Sequence, residues 1–219
     1  PVDKSEWHMT PPTVNAYYNP QMNEIVFPAG ILQPPFYDPN ADDASNYGGM
    51  GAVIGHEMTH GFDDQGRKFD AHGNLTDWWT ADDEKNFVER AQCVEAQFDN
   101  YIFEGDVHMN GKLVLGESIA DLGGLNLAYR ALQKEIQGKP RPPIGGFALD
   151  QRFFLAYAQI WAANGRPEYE RLMANTDPHP LDRFRSIAAP SNMPEFSQAF
   201  SCAQNDAMMR PAGMRCRIW

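Results

Sequence analysis

The sequence is short of positive charge. It carries 18 Lys and Arg against 29 Asp and Glu, a formal net charge of −11 over 219 residues. That balance argues against nucleic acid as a partner, which calls for a basic face. No apolar run approaches the roughly 18–20 residues of a membrane-spanning helix, so no membrane segment is expected in this chain. No secretory leader is visible, because Pro1-Val2-Asp3-Lys4 begins polar. Cysteine is scarce. Cys93, Cys202 and Cys216 show no C-x-x-C spacing, which excludes a zinc ribbon. From the residues alone they are either inert buried thiols or one disulfide plus a cysteine whose partner lies elsewhere. Repeats, low-complexity tracts and an internal domain boundary are also missing, so residues 1–219 read as one domain. What the chain does have is core material, 42% hydrophobic with 13 Phe, 8 Tyr and 5 Trp.

The stretch Gly51–Asp64 contains His56-Glu57-Met58-Thr59-His60, an H-E-x-x-H pattern. On a helix, residues four apart share a face, so His56 and His60 can point at one metal ion. Glu57 then sits beside that ion rather than on it. A zinc hydrolase divides its labour this way: imidazoles hold Zn²⁺, and a nearby carboxylate takes a proton from the water. The flank Gly51-Ala52-Val53-Ile54-Gly55 is apolar and small, so the helix is expected to be buried, where polar groups need partners.

A catalytic zinc needs a third protein ligand and an open position. A histidine just downstream is excluded, because Asp63 and Gly66 occupy the places that H-E-x-x-H-x-x-G-x-x-H requires. A glutamate on a second helix is the other solution, and Glu117 fits. Asp121 lies one turn later on the same face. It could bond the outer nitrogen of one ligand histidine, and Asp63 that of the other. The small, apolar Ile119, Ala120, Leu122, Gly123 and Gly124 around them predict close helix packing.

Elsewhere, Val14–Tyr18 and Glu24–Phe27 read as a β-hairpin across a turn at Asn19–Asn23. The motif helix is expected over about 47–62, with caps available at Asp42–Ser45. Thr80 caps a helix reaching about Tyr101, with Phe87, Ala91, Val94 and Phe98 on one stripe. Helices are further expected from Leu113 to about Ile136, from Asp150, and over 194–205. The fold class is mainly α with a small antiparallel β-element.

Together these residues closely resemble the catalytic C-terminal part of the neprilysin family of zinc endopeptidases, which includes endothelin-converting enzymes and bacterial PepO-type proteins. The resemblance rests on Val14-Asn15-Ala16-Tyr17-Tyr18, the block Phe27 to Phe36, Gly55 to Asp64, Gly116 to Asp121, Arg166-Pro167-Glu168-Tyr169, Asp177-Pro178-His179-Pro180 and Cys216-Arg217-Ile218-Trp219. It implies a thermolysin-like (gluzincin) catalytic domain with one Zn²⁺ on His56, His60 and Glu117, and Glu57 as general base. It further implies that Asn15 and Ala16 hold the substrate backbone as an added strand, that His179 stabilises the oxyanion, and that Arg185 anchors the primed side. Ile31, Phe36, Val53, Ile160 and Trp161 would line an S1′ pocket for a large hydrophobic P1′ residue. Taken alone, the same residues read as a loop histidine, an arginine solvated or paired with Asp182, a turn and plain core.

The resemblance also implies partners: peptide substrates, and an N-terminal helical lobe that is not in this sequence, so the chain is expected to be a C-terminal fragment. Cys93 and Cys216 would be disulfide-bonded. Cys202 would pair with that lobe, although Ala163 stands where some relatives carry another cysteine. An extracytoplasmic location follows. The alternative is a half-enzyme or zinc-stabilised binding module that is silent without its lobe.

Overall fold

A computed structural model describes residues 2–203 and 205–219. The N-terminal stretch forms a hairpin. Strand β1 (Tyr17–Asn19) runs antiparallel to β2 (Glu24–Val26), with Tyr17 opposite Val26. The side chain of Asn19 accepts from the backbone N–H of Gln21 and Met22 and so closes the turn. The strand expected from Val14 begins later. Asn15 and Ala16 lie ahead of the ladder, and the N–H of Ala16 donates to Asn15 Oδ1 at 2.9 Å.

The motif helix is longer than expected at its start and shorter at its end. It opens as α1 (Asp43–Asn46), where Asp42 accepts from the N–H of Ala44. It continues through a π-helical segment, Tyr47–Gly51, into α2 (Ala52–His60). Helix α3 (Ala81–Asp99) carries a capping box between Thr80 and Asp83 and buries Phe87, Ala91, Val94 and Phe98. A second hairpin, β3 (Ile102–Glu104) and β4 (Val107–His108), follows where the sequence reading had none. Then come α4 (Leu115–Glu135), α5 (Leu149–Ile160), α6 (Pro167–Thr176), α7 (Asp182–Ser191) and α8 (Pro194–Ala199). The last helix stops well short of residue 205, and Ser201 takes a positive φ of 52° just past its end.

Helices α2 and α4 meet backbone to backbone at Gly55 and Gly124. A Cβ built on Gly55 would lie 2.5 Å from the carbonyl oxygen of Gly124, and one on Gly124 would lie 2.4 Å from the backbone nitrogen of His56. Only glycine permits this approach. It brings the imidazoles of α2 within reach of the carboxylates of α4.

The main core gathers α3, α4, α5 and α7 around Val114, Ile119, Leu125, Leu132 and Phe153, all fully buried. A smaller cluster forms from Ala16, Ile31 and Met50, with Phe27, Phe36 and Val53 against it. Cys93 on α3 is disulfide-bonded to Cys216, Cα to Cα 5.5 Å, which fastens the C-terminal segment to the core. Cys202 is a free, half-buried thiol. No helix among the described residues is long and apolar enough to cross a membrane.

Candidate active site

Residues of both apolar clusters line a cleft of about 880 Å³, and the H-E-x-x-H residues form part of its wall. Helical spacing puts His56 and His60 one turn apart on α2, and their Nε2 atoms come within 3.0 Å of each other. Glu117, in the first turn of α4, places Oε2 at 3.3 Å from His56 Nε2 and Oε1 at 3.5 Å from His60 Nε2. The three residues offer ligand atoms that all lie within 4.8 Å of one another, so they could hold one metal ion.

The other ring nitrogens are engaged. His56 Nδ1 is 2.8 Å from Asp121 Oδ1, and His60 Nδ1 is 2.7 Å from Asp63 Oδ2. An ionised carboxylate only accepts, so each imidazole carries a proton on Nδ1; once Nε2 gives up its proton, as binding a metal requires, its lone pair faces inward. Asp63 is itself fixed, because its Oδ1 accepts from the backbone N–H of Gln65 and Gly66. The donor set fits a divalent cation on a further count. Glu117 Oε2 is buried and makes no well-formed hydrogen bond; His56 Nε2 at 3.3 Å and Arg185 Nη2 at 3.5 Å approach it only loosely, which leaves acceptor capacity that a cation would take up.

Electrostatics follow from this crowding. Burial opposes a charge on His56, but the Asp121 hydrogen bond and the Glu117 carboxylate outweigh it and lift its pKa to about 9. Burial likewise works against ionised Glu117, yet His56 and His60 hold its carboxyl far below the ordinary range. Burial pushes the Glu57 carboxyl up. Asp121 is 5% exposed, and Arg185 overcomes its burial to keep it ionised.

Arg185 is neither solvated nor paired with Asp182. It is 6% exposed and grips Asp121 with two hydrogen bonds, Nε to Oδ2 at 2.8 Å and Nη2 to Oδ1 at 2.7 Å. Its guanidinium lies 3.9 Å from the centre of the Trp161 ring. One carboxylate, Asp121, therefore orients both a histidine and an arginine. His179 stands half-exposed at the rim, with Nε2 3.4 Å from Glu117 Oε1.

All the residues singled out from the sequence as site groups line this cleft: Asn15, Ala16, Ile31, Phe36, Val53, His56, Glu57, His60, Asp63, Glu117, Asp121, Ile160, Trp161, His179 and Arg185. The apolar set is divided, however. Ile31, Phe36 and Val53 belong to the smaller cluster, while Ile160 and Trp161 pack on the main core. Two residues escaped the sequence reading. Asp177 Oδ1 is 2.6 Å from His179 Nδ1 and also accepts the backbone N–H of His179. The signal was there, an aspartate two positions ahead of a histidine in a proline-stiffened loop. Tyr157 lines the cleft one helical turn before Trp161 and donates to the carbonyl of Arg185 at 3.2 Å.

Two imidazoles from one helix, a glutamate from a second, and a mostly helical frame with small antiparallel hairpins define a thermolysin-like, gluzincin catalytic domain. The chain belongs to peptidase family M13, whose sequence pattern matches residues 15–216. It is 49% identical over 222 residues to an endothelin-converting enzyme homolog of Locusta migratoria, and 47% identical over 223 residues to neprilysin of Homo sapiens. Each alignment covers 100% of this chain and 30% of the relative. Among solved structures, the Mycobacterium tuberculosis zinc metalloprotease ZMP1 in complex with an inhibitor superposes with a TM-score of 0.97 at 49% identity, covering 100% of this chain and 34% of that one. The chain thus spans about a third of the length of the relatives it matches.

Proposed function

We propose that this chain is the zinc-holding catalytic domain, residues 1–219, of an endopeptidase that cleaves oligopeptides before a large hydrophobic P1′ residue. One observation carries the reading. The inward nitrogens of His56 and His60 converge with the Glu117 carboxylate, while Asp121 and Asp63 hold the outward nitrogens. This is the donor set of a catalytic rather than a structural zinc: three protein ligands and room for a fourth. Zn²⁺ held there supplies Lewis acidity toward a water and toward the scissile carbonyl.

The chain's own groups do the rest. Glu57 accepts a proton from the attacking water, whose oxygen bonds to the carbonyl carbon. The carbon–nitrogen bond then breaks, and Glu57 returns the proton to the leaving amine. His179, with both ring nitrogens protonated, donates from Nε2 to the developing oxyanion, while Asp177 accepts from Nδ1 and holds the ring in place. Asn15 and Ala16, ahead of the paired part of β1, hold the substrate backbone. Arg185 gives the primed side a cationic edge. Ile31, Phe36 and Val53 from the smaller cluster, with Ile160 and Trp161 from the main core, take the P1′ side chain. In the whole protein, an additional N-terminal lobe closes over the cleft. The Cys93–Cys216 bond supports an extracytoplasmic location, where disulfides persist.

The test is hydrolysis of an internally quenched peptide with Phe at P1′, by this chain and by Glu57→Gln, with zinc assayed on both. Cleavage by the first alone at equal zinc is the expected result. Silence from both with zinc bound would instead favour a half-enzyme dependent on the further lobe. Failure to bind zinc would overturn the site assignment.

A further inference from the structure

The cleft holds a carboxylate that none of the roles above uses. Asp182 opens α7, three residues after His179 and three before Arg185, and lines the cleft with both. Among the described residues no Lys or Arg forms an ion pair with it: Arg185 bonds Asp121, and Arg183 reaches Glu170 and the carbonyl of Phe103. The cleft is also unbalanced in charge. Glu57, Asp63, Glu117, Asp121 and Asp182 line it, and among the described residues Arg185 is the one Arg or Lys that does. A bound divalent cation together with Arg185 leaves a net negative field, focused by the low-dielectric walls. Tyr169 of α6, 57% exposed, lines the same cleft, and α6 is tied to α7 through Glu170 and Arg183 at 3.6 Å. An aromatic face and a carboxylate free of a Lys or Arg partner in one cleft suit an ammonium or guanidinium group.

We infer that Asp182 receives a Lys or Arg side chain of the bound peptide, so that substrates carrying positive charge near the scissile bond are preferred. The inference rests on the peptidase reading and adds to it a substrate class. A first-turn acid also favours the dipole of α7, but that role would leave peptide selectivity unmoved.

The test uses zinc-loaded chain and quenched peptides with Phe at P1′, carrying Lys or Glu at each of the other positions from P3 to P3′ in turn. Exchanging Lys for Glu replaces an attraction by a repulsion, each worth up to about fivefold for a partly exposed pair. At one position a Lys-over-Glu preference of roughly tenfold in kcat/KM is expected, and Asp182→Asn should bring it within about twofold. The preference should shrink as salt is raised. Asp106→Asn removes the same charge from the turn between β3 and β4, and should leave the preference intact; this separates a local contact from net charge. The same ratio is read as binding of labelled Lys and Glu peptides to the Glu57→Gln protein. Peptides that bind with this ratio but are never cleaved would count against the peptidase reading alone. Equal handling of Lys and Glu peptides, or a ratio that survives Asp182→Asn, overturns the assignment of Asp182. Absence of binding by every peptide overturns both.

Discussion

Replacing Asp121 by Asn tests the reasoning at its most connected point. The carboxylate accepts from His56 Nδ1 at 2.8 Å and from Arg185 at 2.8 and 2.7 Å, and is 5% exposed. Asparagine keeps the shape and one oxygen, which can still serve His56 and Arg185 Nη2. Its amide nitrogen then meets the N–H of Arg185 Nε, donor against donor, and the buried guanidinium loses the nearer of its two carboxylates, keeping only Glu117 at 3.5 Å. Removing one partner of a buried pair costs about 3–5 kcal/mol, and retained shape points to the lower end. For a chain of this size about 3 kcal/mol corresponds to a fall of roughly 6–12 °C in Tm. The released imidazole should also weaken zinc binding by about 10–100-fold. Circular-dichroism melts of zinc-free protein and competition with a chromophoric chelator measure the two effects separately. Glu117→Gln is the counter-case. The contacts of Glu117 with His56, His60 and Arg185 are 3.3, 3.5 and 3.5 Å, longer than the 2.7–2.8 Å bonds of Asp121, so this replacement should lose more zinc affinity and less zinc-free stability than Asp121→Asn. A shift under about 2 °C with unchanged zinc affinity in Asp121→Asn would refute the claim that this carboxylate organises the site.

Other outcomes follow from the same geometry. Gly124→Ala sets a methyl 2.4 Å from the backbone nitrogen of His56, which cannot rotate aside; denaturant titration should show a loss of about 1–3 kcal/mol, with weaker zinc binding. Replacing both Cys93 and Cys216 by Ser opens a loop spanning 123 positions, and a loss of about 5 kcal/mol is expected from chain entropy. His179→Ala should lower kcat by about 10²–10³ through loss of one oxyanion donor while leaving zinc content unchanged by atomic absorption. Stripping zinc with a chelator should lower the Tm of the parent chain but shift Glu117→Ala hardly at all, because a ligand that does not bind cannot stabilise.

How far the sequence speaks depends on the range of each interaction. The His56–His60 pair and the stripe from Phe87 to Phe98 were legible because helical periodicity is local. Glu117 and Asp121 could be chosen because a glutamate and an aspartate one turn apart, amid small residues, have few uses in a buried helix. Arg185 was harder. Its partner sits 64 positions away, and nothing local distinguishes that pairing from one with nearby Asp182. The β3–β4 hairpin was missed because only Phe103 of β3 is buried, too short an alternation to stand out from a turn. The late start of β1 has a similar cause. Asn15 supplies its side-chain oxygen to Ala16, a local bond that competes with the strand ladder.

Packing and chemistry are not separable in this fold. Asp121 and Glu117 have short reach, so their contacts with the imidazoles require the axes of α2 and α4 to be close where they meet. Side chains at positions 55 and 124 would hold the helices apart. The glycines there remove that obstacle at some cost in helix propensity, and the surrounding core of Ile119, Leu122 and Leu125 supplies burial that offsets it. The same closeness explains why the polar groups of the site are paired so densely. Once the helices exclude water, each imidazole nitrogen and carboxylate oxygen must find a partner within the protein. Asp63, Asp121 and Arg185 meet that need on the outer side. The Glu117 carboxylate, which Arg185 Nη2 approaches only to 3.5 Å, faces the two inward Nε2 atoms on the side where a cation would sit.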